Sequence, residues 1–222
     1  MKIVAINGSS RGKTSNTNMM VSTFLKGARA AGAETINILL AEKEIAHCRG
    51  CHICWAKGPG QCVIGDDMLK VLALLGGAEV IVFASPVYFE NISGILKVFM
   101  DRMTMLGSPR QEKDVKGESA QLAQIKGQAP KLMMISNCGY PDRSEFAVTS
   151  LWIKRVAQKM HMSLIGEIYA TRGKFLTASP EKLQPAVADY LLLLKKAGQE
   201  IATDMRLSAA TEKLLGEQNF SF

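Results

Sequence analysis

No apolar run in this chain of 222 residues approaches the roughly 18 that a membrane span needs. Nor does the start supply an export signal. Met1-Lys2-Ile3-Val4-Ala5-Ile6 leads straight into a Gly/Ser turn, without the longer apolar stretch and small-residue cleavage site that such a signal requires. Both absences point to a cytoplasmic protein with no membrane partner. Cysteine is sparse, five residues in all, and structural disulfides are rare in that compartment, which weighs against a disulfide framework. Histidine is scarcer still, and His47, His52 and His161 read as surface or packing residues rather than ligands. Internal repeats and low-complexity segments are absent. Lys and Arg outnumber Asp and Glu by 27 to 20, a net charge of +7. The basic residues are scattered, however, and no aromatic-plus-basic recognition pattern accompanies them, so nucleic acid is not an expected partner. A basic surface that attracts anionic cofactors accounts for the charge equally well.

What the chain does have is apolar content, 47% of its residues, enough to bury the core of one domain. Its organisation alternates strand and helix. Ile3–Ile6, Thr35–Leu40, Val80–Ala84, Leu132–Ser136 and Ser163–Ala170 read as strands, and Val80–Ala84 is apolar throughout, as buried parallel strands are. Between them lie helical patterns over about 16–31, 66–75, 93–103 and 144–160, with a last helix from Pro180 to about Met205. In the first, Met20, Phe24, Ala28 and Ala31 recur at helical spacing; in the second, Met68, Val71, Leu72 and Leu75 share a face behind Asp66 and Asp67, acids that suit a helix N-terminus. Strict alternation of strands and helices predicts an α/β fold: a doubly wound, five-stranded parallel sheet of order 2-1-3-4-5 with helices on both faces. A single domain is expected over 1–205, carrying a cysteine-rich loop at 48–62 and an insertion at 107–130 that reads as a lid or a subunit contact. A tail over 206–222 holds Leu214, Leu215, Phe220 and Phe222, which suit docking on the domain or on a partner chain.

Ligands of such sheets bind outside the carboxyl ends of the strands, where strand order reverses. The loops after Ile6 and after Ala84 are therefore expected to face each other. The first reads Gly8-Ser9-Ser10-Arg11-Gly12-Lys13-Thr14-Ser15-Asn16-Thr17, rich in hydroxyls and opening a helix, which favours a phosphate. It has three residues between its glycines where a Walker A loop has four, and it lacks G-x-G-x-x-G, leaving a phosphate nest for a mononucleotide. The plainer reading is that Thr14 and Ser15 only cap the helix; Arg11 and Lys13 favour the nest. The second loop, Ser85-Pro86-Val87-Tyr88-Phe89-Glu90-Asn91, offers a rigid proline and two aromatics to a flat heteroaromatic ring, unless Tyr88 and Phe89 turn into the core. Asn137-Cys138-Gly139-Tyr140 is a third candidate wall, and Cys138 reads as a buried thiol rather than a reactive one.

The other four cysteines form one run, Cys48, Cys51, Cys54 and Cys62, spaced C-x2-C-x2-C-x7-C. Soft thiolates so grouped suit an iron–sulfur cluster or zinc. Zinc sites more usually join two separated pairs. A ferredoxin run has a shorter last gap followed by proline, which is missing after Cys62, and the cysteines are too few for two clusters. Unligated thiols remain the plainest alternative.

On these residues the chain resembles the NAD(P)H-dependent FMN reductases of the flavodoxin-like fold, and within them the iron–sulfur flavoproteins. The resemblance runs over about Lys2–Ala170, through Asn7-Gly8-Ser9-Ser10-Arg11, the cysteine run leading to Asp66-Asp67-Met68, and Ser85-Pro86-Val87-Tyr88 with Lys97 and Asp101-Arg102. It implies an FMN phosphate on Ser9, Arg11, Ser15, Asn16 and Thr17. The ring would lie against Pro86, Val87, Tyr88 and Phe89, with Asn91 and the Asn137, Cys138, Gly139 and Tyr140 loop nearby. It also implies a [4Fe–4S] cluster on Cys48, Cys51, Cys54 and Cys62, although many relatives with such a run are simple flavin reductases. The activity implied is hydride transfer from NAD(P)H, then electron transfer to a quinone, flavin or nitro compound or to the cluster. The protein supplies no catalytic side chain, because the cofactor carries the chemistry. An electron carrier fed by ferredoxin and a non-enzymatic flavin sensor are the alternatives. Relatives also imply a homodimer or homotetramer.

Overall fold

Central strands of a doubly covered sheet have no polar face to spare, and the chain spends its most continuous apolar runs there. β1 (Lys2–Asn7) and β3 (Val80–Tyr88) are buried along almost their whole lengths. β1 pairs in parallel with β2 (Glu34–Leu39) on one side and with β3 on the other. A two-residue strand, β4 (Asn91–Ile92), turns back antiparallel on the end of β3. β5 (Lys131–Asn137) pairs in parallel with β3 and with β6 (Leu164–Ala170). The order is β2-β1-β3-β5-β6 with β4 off the path, which for the five parallel strands is the expected 2-1-3-4-5. The computed structural model describes residues 1–58, 60–107, 129–178, 180–218 and 220. Most of the 107–130 insertion, Pro59 and Phe222 therefore lie outside the described residues.

Two apolar cores cover the two faces of the sheet. One gathers α1 (Asn16–Ala30), α6 (Gln184–Asp204) and α7 (Ala209–Glu217) over Ile3, Ala5, Val80, Val82 and Met133. The other gathers α3 (Met68–Leu75), α4 (Gly94–Arg102) and α5 (Ala147–Lys159) over Val4, Ile6, Ile81, Phe83 and Met134. A short α2 (Ile53–Lys57) sits within the cysteine segment.

Several boundaries differ from the expectation, for local reasons. β3 runs four residues past Ala84, through Pro86, because the end of the strand pairs only with β4 and β5 and a proline there costs little. The helix expected from Pro180, α6, begins at Gln184 after a 3-10 turn at Glu181–Leu183, and α5 begins at Ala147 after another at Arg143–Phe146. α2 was not expected, since five residues are too few to show a period. The tail forms α7, capped by Ser208, whose hydroxyl accepts from Thr211 N. Leu207, Leu215 and Phe220 enter the domain's own core, where Phe220 meets Tyr190 edge to face at 5.5 Å, while Leu214 stays exposed.

Candidate functional site

At the end of β1, the Asn7 side chain folds back to accept from Ser9 N at 3.1 Å and starts a tight loop. A 3-10 turn at Gly12–Thr14 then feeds α1. Gly12 has φ of 53°, in the left-handed region where a side chain is strained. Ser15 is the N-cap: its hydroxyl accepts from Asn18 N at 3.0 Å and donates to the Gly12 carbonyl at 2.8 Å. Capping and ligand binding are not alternatives here, because Ser15 also lines the cleft beside the loop. Among the described residues, the backbone N–H groups of Ser10, Arg11, Asn16 and Thr17 have no protein acceptor. Donors turned out at the start of a fifteen-residue helix make an anion site by their own partial charge and the helix dipole.

The second loop faces the first across the sheet edge. Gly8 N donates to the Ala84 carbonyl at 2.7 Å, Ser93 Oγ donates to the Gly8 carbonyl, and Ser10 Oγ approaches Tyr88 OH at 3.4 Å. The third wall is tied in by Asn137, whose Nδ2 donates to the buried Thr17 Oγ1 at 2.7 Å. One cleft is thus lined by Ser9, Arg11, Ser15, Asn16 and Thr17 from the first loop, Pro86, Val87 and Tyr88 from the second, and Asn137, Cys138 and Gly139 from the third. Burial pushes the Cys138 thiol up, so it stays protonated at neutral pH, as a buried thiol should.

Phe89, Asn91 and Tyr140 stand outside that lining. Phe89 is fully exposed at the tip of the β3–β4 hairpin, with φ of 47°, followed by Glu90 at 67°. Non-glycine residues held in that region are strained, and here the strain presents an aromatic ring to solvent. Tyr140 is exposed above the cleft, and Asn91 accepts from Ile92 N at 2.8 Å. Lys174 is an unforeseen lining residue. It comes from the 3-10 turn Gly173–Leu176 after β6, beside Arg172 at φ of 49°. Nothing local marks it; only the sheet order brings that turn to the cleft.

A second cavity holds the cysteine run. Cys48, Cys51, Cys54 and Cys62 line it together with Arg102, Thr104 and Met105. The segment is pinned to the 3-10 turn Met103–Leu106 that follows α4: Trp55 Nε1 donates to the Thr104 carbonyl at 2.9 Å, and Gly60 N to the Met105 carbonyl at 2.8 Å. Burial raises the Cys54 thiol first, then the neighbouring Cys62, with smaller contributions from Cys51 and Cys48. Among the described residues no three His, Cys, Asp or Glu side chains are drawn into a metal-ligating arrangement, and all five cysteines are free. A soft, four-sulfur donor set around one cavity fits an iron–sulfur cluster.

A family profile described as NADPH-dependent FMN reductase matches residues 1–137, which carry every cleft residue except Cys138, Gly139 and Lys174. An iron–sulfur flavoprotein of Archaeoglobus fulgidus is 38% identical over 107 residues, 48% of this chain and 47% of that protein. One of Methanocaldococcus jannaschii is 41% identical over 102 residues, 46% of this chain and 51% of that protein. The chain thus spans about half the length of the curated relatives it matches. Among solved structures, an FMN-dependent NADH-azoreductase from Bacillus anthracis, in complex with FMN, matches with a TM-score of 0.65 at 14% identity, over 91% of this chain and 100% of that one. An NAD(P)H:quinone oxidoreductase from Methanothermobacter marburgensis matches with a TM-score of 0.60 at 12% identity, over 93% of this chain and 98% of that one. At such identities the likeness speaks for the flavodoxin-like fold alone.

Proposed function

The chain belongs to the NADPH-dependent FMN reductase family, and from that premise we propose that it is an FMN-dependent oxidoreductase. It takes hydride from NAD(P)H and passes electrons to a small acceptor, a quinone, flavin or nitro compound, or to a [4Fe–4S] cluster on Cys48, Cys51, Cys54 and Cys62. The observation that carries this reading is the convergence of three loop ends on one cleft, with an anion nest at one end and apolar and aromatic groups at the other. When bound, FMN supplies hydride acceptance and electron release. The chain's own residues hold and orient it. Ser9, Arg11, Ser15, Asn16, Thr17 and the free N–H groups take the phosphate, and Lys174 adds positive charge. Pro86, Val87 and Tyr88 form the apolar wall for the ring and exclude water from one side. Cys138, kept neutral by burial, puts no negative charge beside the ring.

The four-thiol cavity also favours a second reading, an iron–sulfur flavoprotein that takes its electrons from ferredoxin. Two substitutions separate the parts. Asn16→Glu sets a carboxylate in the nest and should abolish FMN retention while leaving the melting temperature of the flavin-free protein unchanged. Cys54→Ala should remove iron after anaerobic reconstitution and leave FMN bound. FAD retained in place of FMN, or FMN affinity unaltered by Asn16→Glu, would count against the nest as the phosphate site. An iron-free yellow protein after reconstitution would leave a simple flavin reductase.

A further inference from the structure

The side chain that closes the cysteine cavity is a buried arginine. Arg102, the last residue of α4, is 1% exposed, yet it has a long guanidinium to satisfy. Nη1 donates to the Ala46 carbonyl at 2.9 Å and to Asp66 Oδ2. Nη2 donates to Asp66 Oδ1 at 3.1 Å and reaches Cys62 Sγ at 3.6 Å. Asp66 in turn accepts from Ala46 N and Met68 N. One guanidinium therefore clasps the chain just before the first cysteine, Asp66 two residues before α3, and the last cysteine. Its Nε is buried with no acceptor among the described residues, a donor left over at the wall of the cavity.

A buried ion pair is poor value as a stabiliser, because desolvation offsets its Coulomb gain. Its orientation here suggests another use. Nη2 holds both Asp66 Oδ1 and Cys62 Sγ, and the neighbouring Nε is left without an acceptor among the described residues, so the guanidinium brings positive charge against the last cysteine that Asp66 does not fully take up. We infer that Arg102 is the positioning residue and built-in counter-charge of the four-cysteine site, holding Cys62 in place and favouring the more negative charge state of whatever those thiols ligate. The inference rests on the cluster reading and adds to it a residue outside the cysteines. α4 also links the two sites mechanically. Ser93 at its N-terminus bonds Gly8 and Ser85 at the cleft, and its nine residues cover about 13 Å before Arg102.

Two variants test it. Arg102→Lys keeps the charge but lacks the fork that reaches Ala46, Asp66 and Cys62 together. The paired replacement Asp66→Leu with Arg102→Met removes both charges and leaves neither unpaired, an exchange that buried ion pairs commonly tolerate. Each is reconstituted anaerobically with iron and sulfide beside the native protein, with bound FMN and melting temperature as controls for the fold. The paired variant should lose iron to a chelator about 10–100-fold faster than the native protein, and its cluster should have a lower midpoint potential. Arg102→Lys should lie between the two in iron loss and close to native in potential. A purely structural role would change iron retention without that ordering of potentials. Iron loss and potential equal to native in a folded, FMN-loaded paired variant would overturn the inference. So would an Arg102→Lys protein indistinguishable from native in iron loss, should the paired variant fail to fold. If the native protein itself takes up no iron, the cluster reading falls first and this inference with it; native uptake with unaffected variants sinks the role of Arg102 alone.

Discussion

Thr17 is buried, and its hydroxyl is the acceptor that fixes Asn137 across the sheet edge. Replacing it with valine keeps the shape, removes the acceptor and leaves a buried amide donor unpaired, a loss of about 1–3 kcal/mol. Thr17→Ser retains the acceptor and should lose less. Urea unfolding of the two variants checks this, and equal stabilities would show that the hydroxyl carries nothing. Asp66 gives a prediction in pH. Burial opposes its ionised form, but the bonds from Arg102 and from the Ala46 and Met68 amides outweigh it and hold the carboxyl below its usual range. A group depressed in the folded state stabilises the fold above its ordinary pKa, and that stability is lost as pH falls through the folded value. Unfolding free energy should therefore drop more steeply below about pH 4 in the native protein than in the Asp66→Leu, Arg102→Met variant. Parallel acid limbs in the two proteins would contradict it.

At the scale of elements, α1 and α6 approach so closely that two glycines decide the contact. A Cβ on Gly27 would stand 1.8 Å from the Lys195 carbonyl oxygen, and one on Gly198 1.9 Å from that of Phe24. Both obstacles are backbone, so the helices themselves must separate. Gly198→Ala, favourable for an isolated helix, should destabilise the protein by about 1–3 kcal/mol or more. A stabilised variant by thermal melting would show that the pair is looser than drawn. Neither glycine announced itself in sequence, since a glycine within a helical pattern looks the same whether it faces solvent or another backbone. The strands were legible because apolar runs such as Val80–Ala84 report burial directly, and Ser15 because a cap is a local device. The cysteine run was legible from spacing. Lys174, the Asp66–Arg102 pair and the strained turn at Phe89 and Glu90 were not, for each depends on contacts between distant segments. The Asp66–Asp67 pair was read as helix-end charge. Asp66 does accept from the first turn of α3, but its stronger partner lies 36 residues away.

At the scale of the molecule, the cleft opens beside exposed Phe89 and Tyr140 and a half-exposed Tyr88, an aromatic rim of the kind that protein contacts cover. We propose that the chain is at least a dimer. Light scattering at micromolar concentration should then return no less than twice the chain mass of 24.1 kDa, and the single-chain mass would refute it. The three-loop cleft and the four-cysteine cavity lie on one fold, and α4 runs from Ser93, bonded at the first, to Arg102, which lines the second. The most direct measurement is anaerobic. Protein loaded with FMN and stripped of other reductants is mixed with NADH or NADPH while its flavin absorbance is followed. Rapid bleaching by at least one nicotinamide, and recovery of the colour on adding a quinone, is the expected result. A flavin that stays oxidised with both nicotinamides yet bleaches with reduced ferredoxin would contradict the oxidoreductase reading and make the chain an electron carrier.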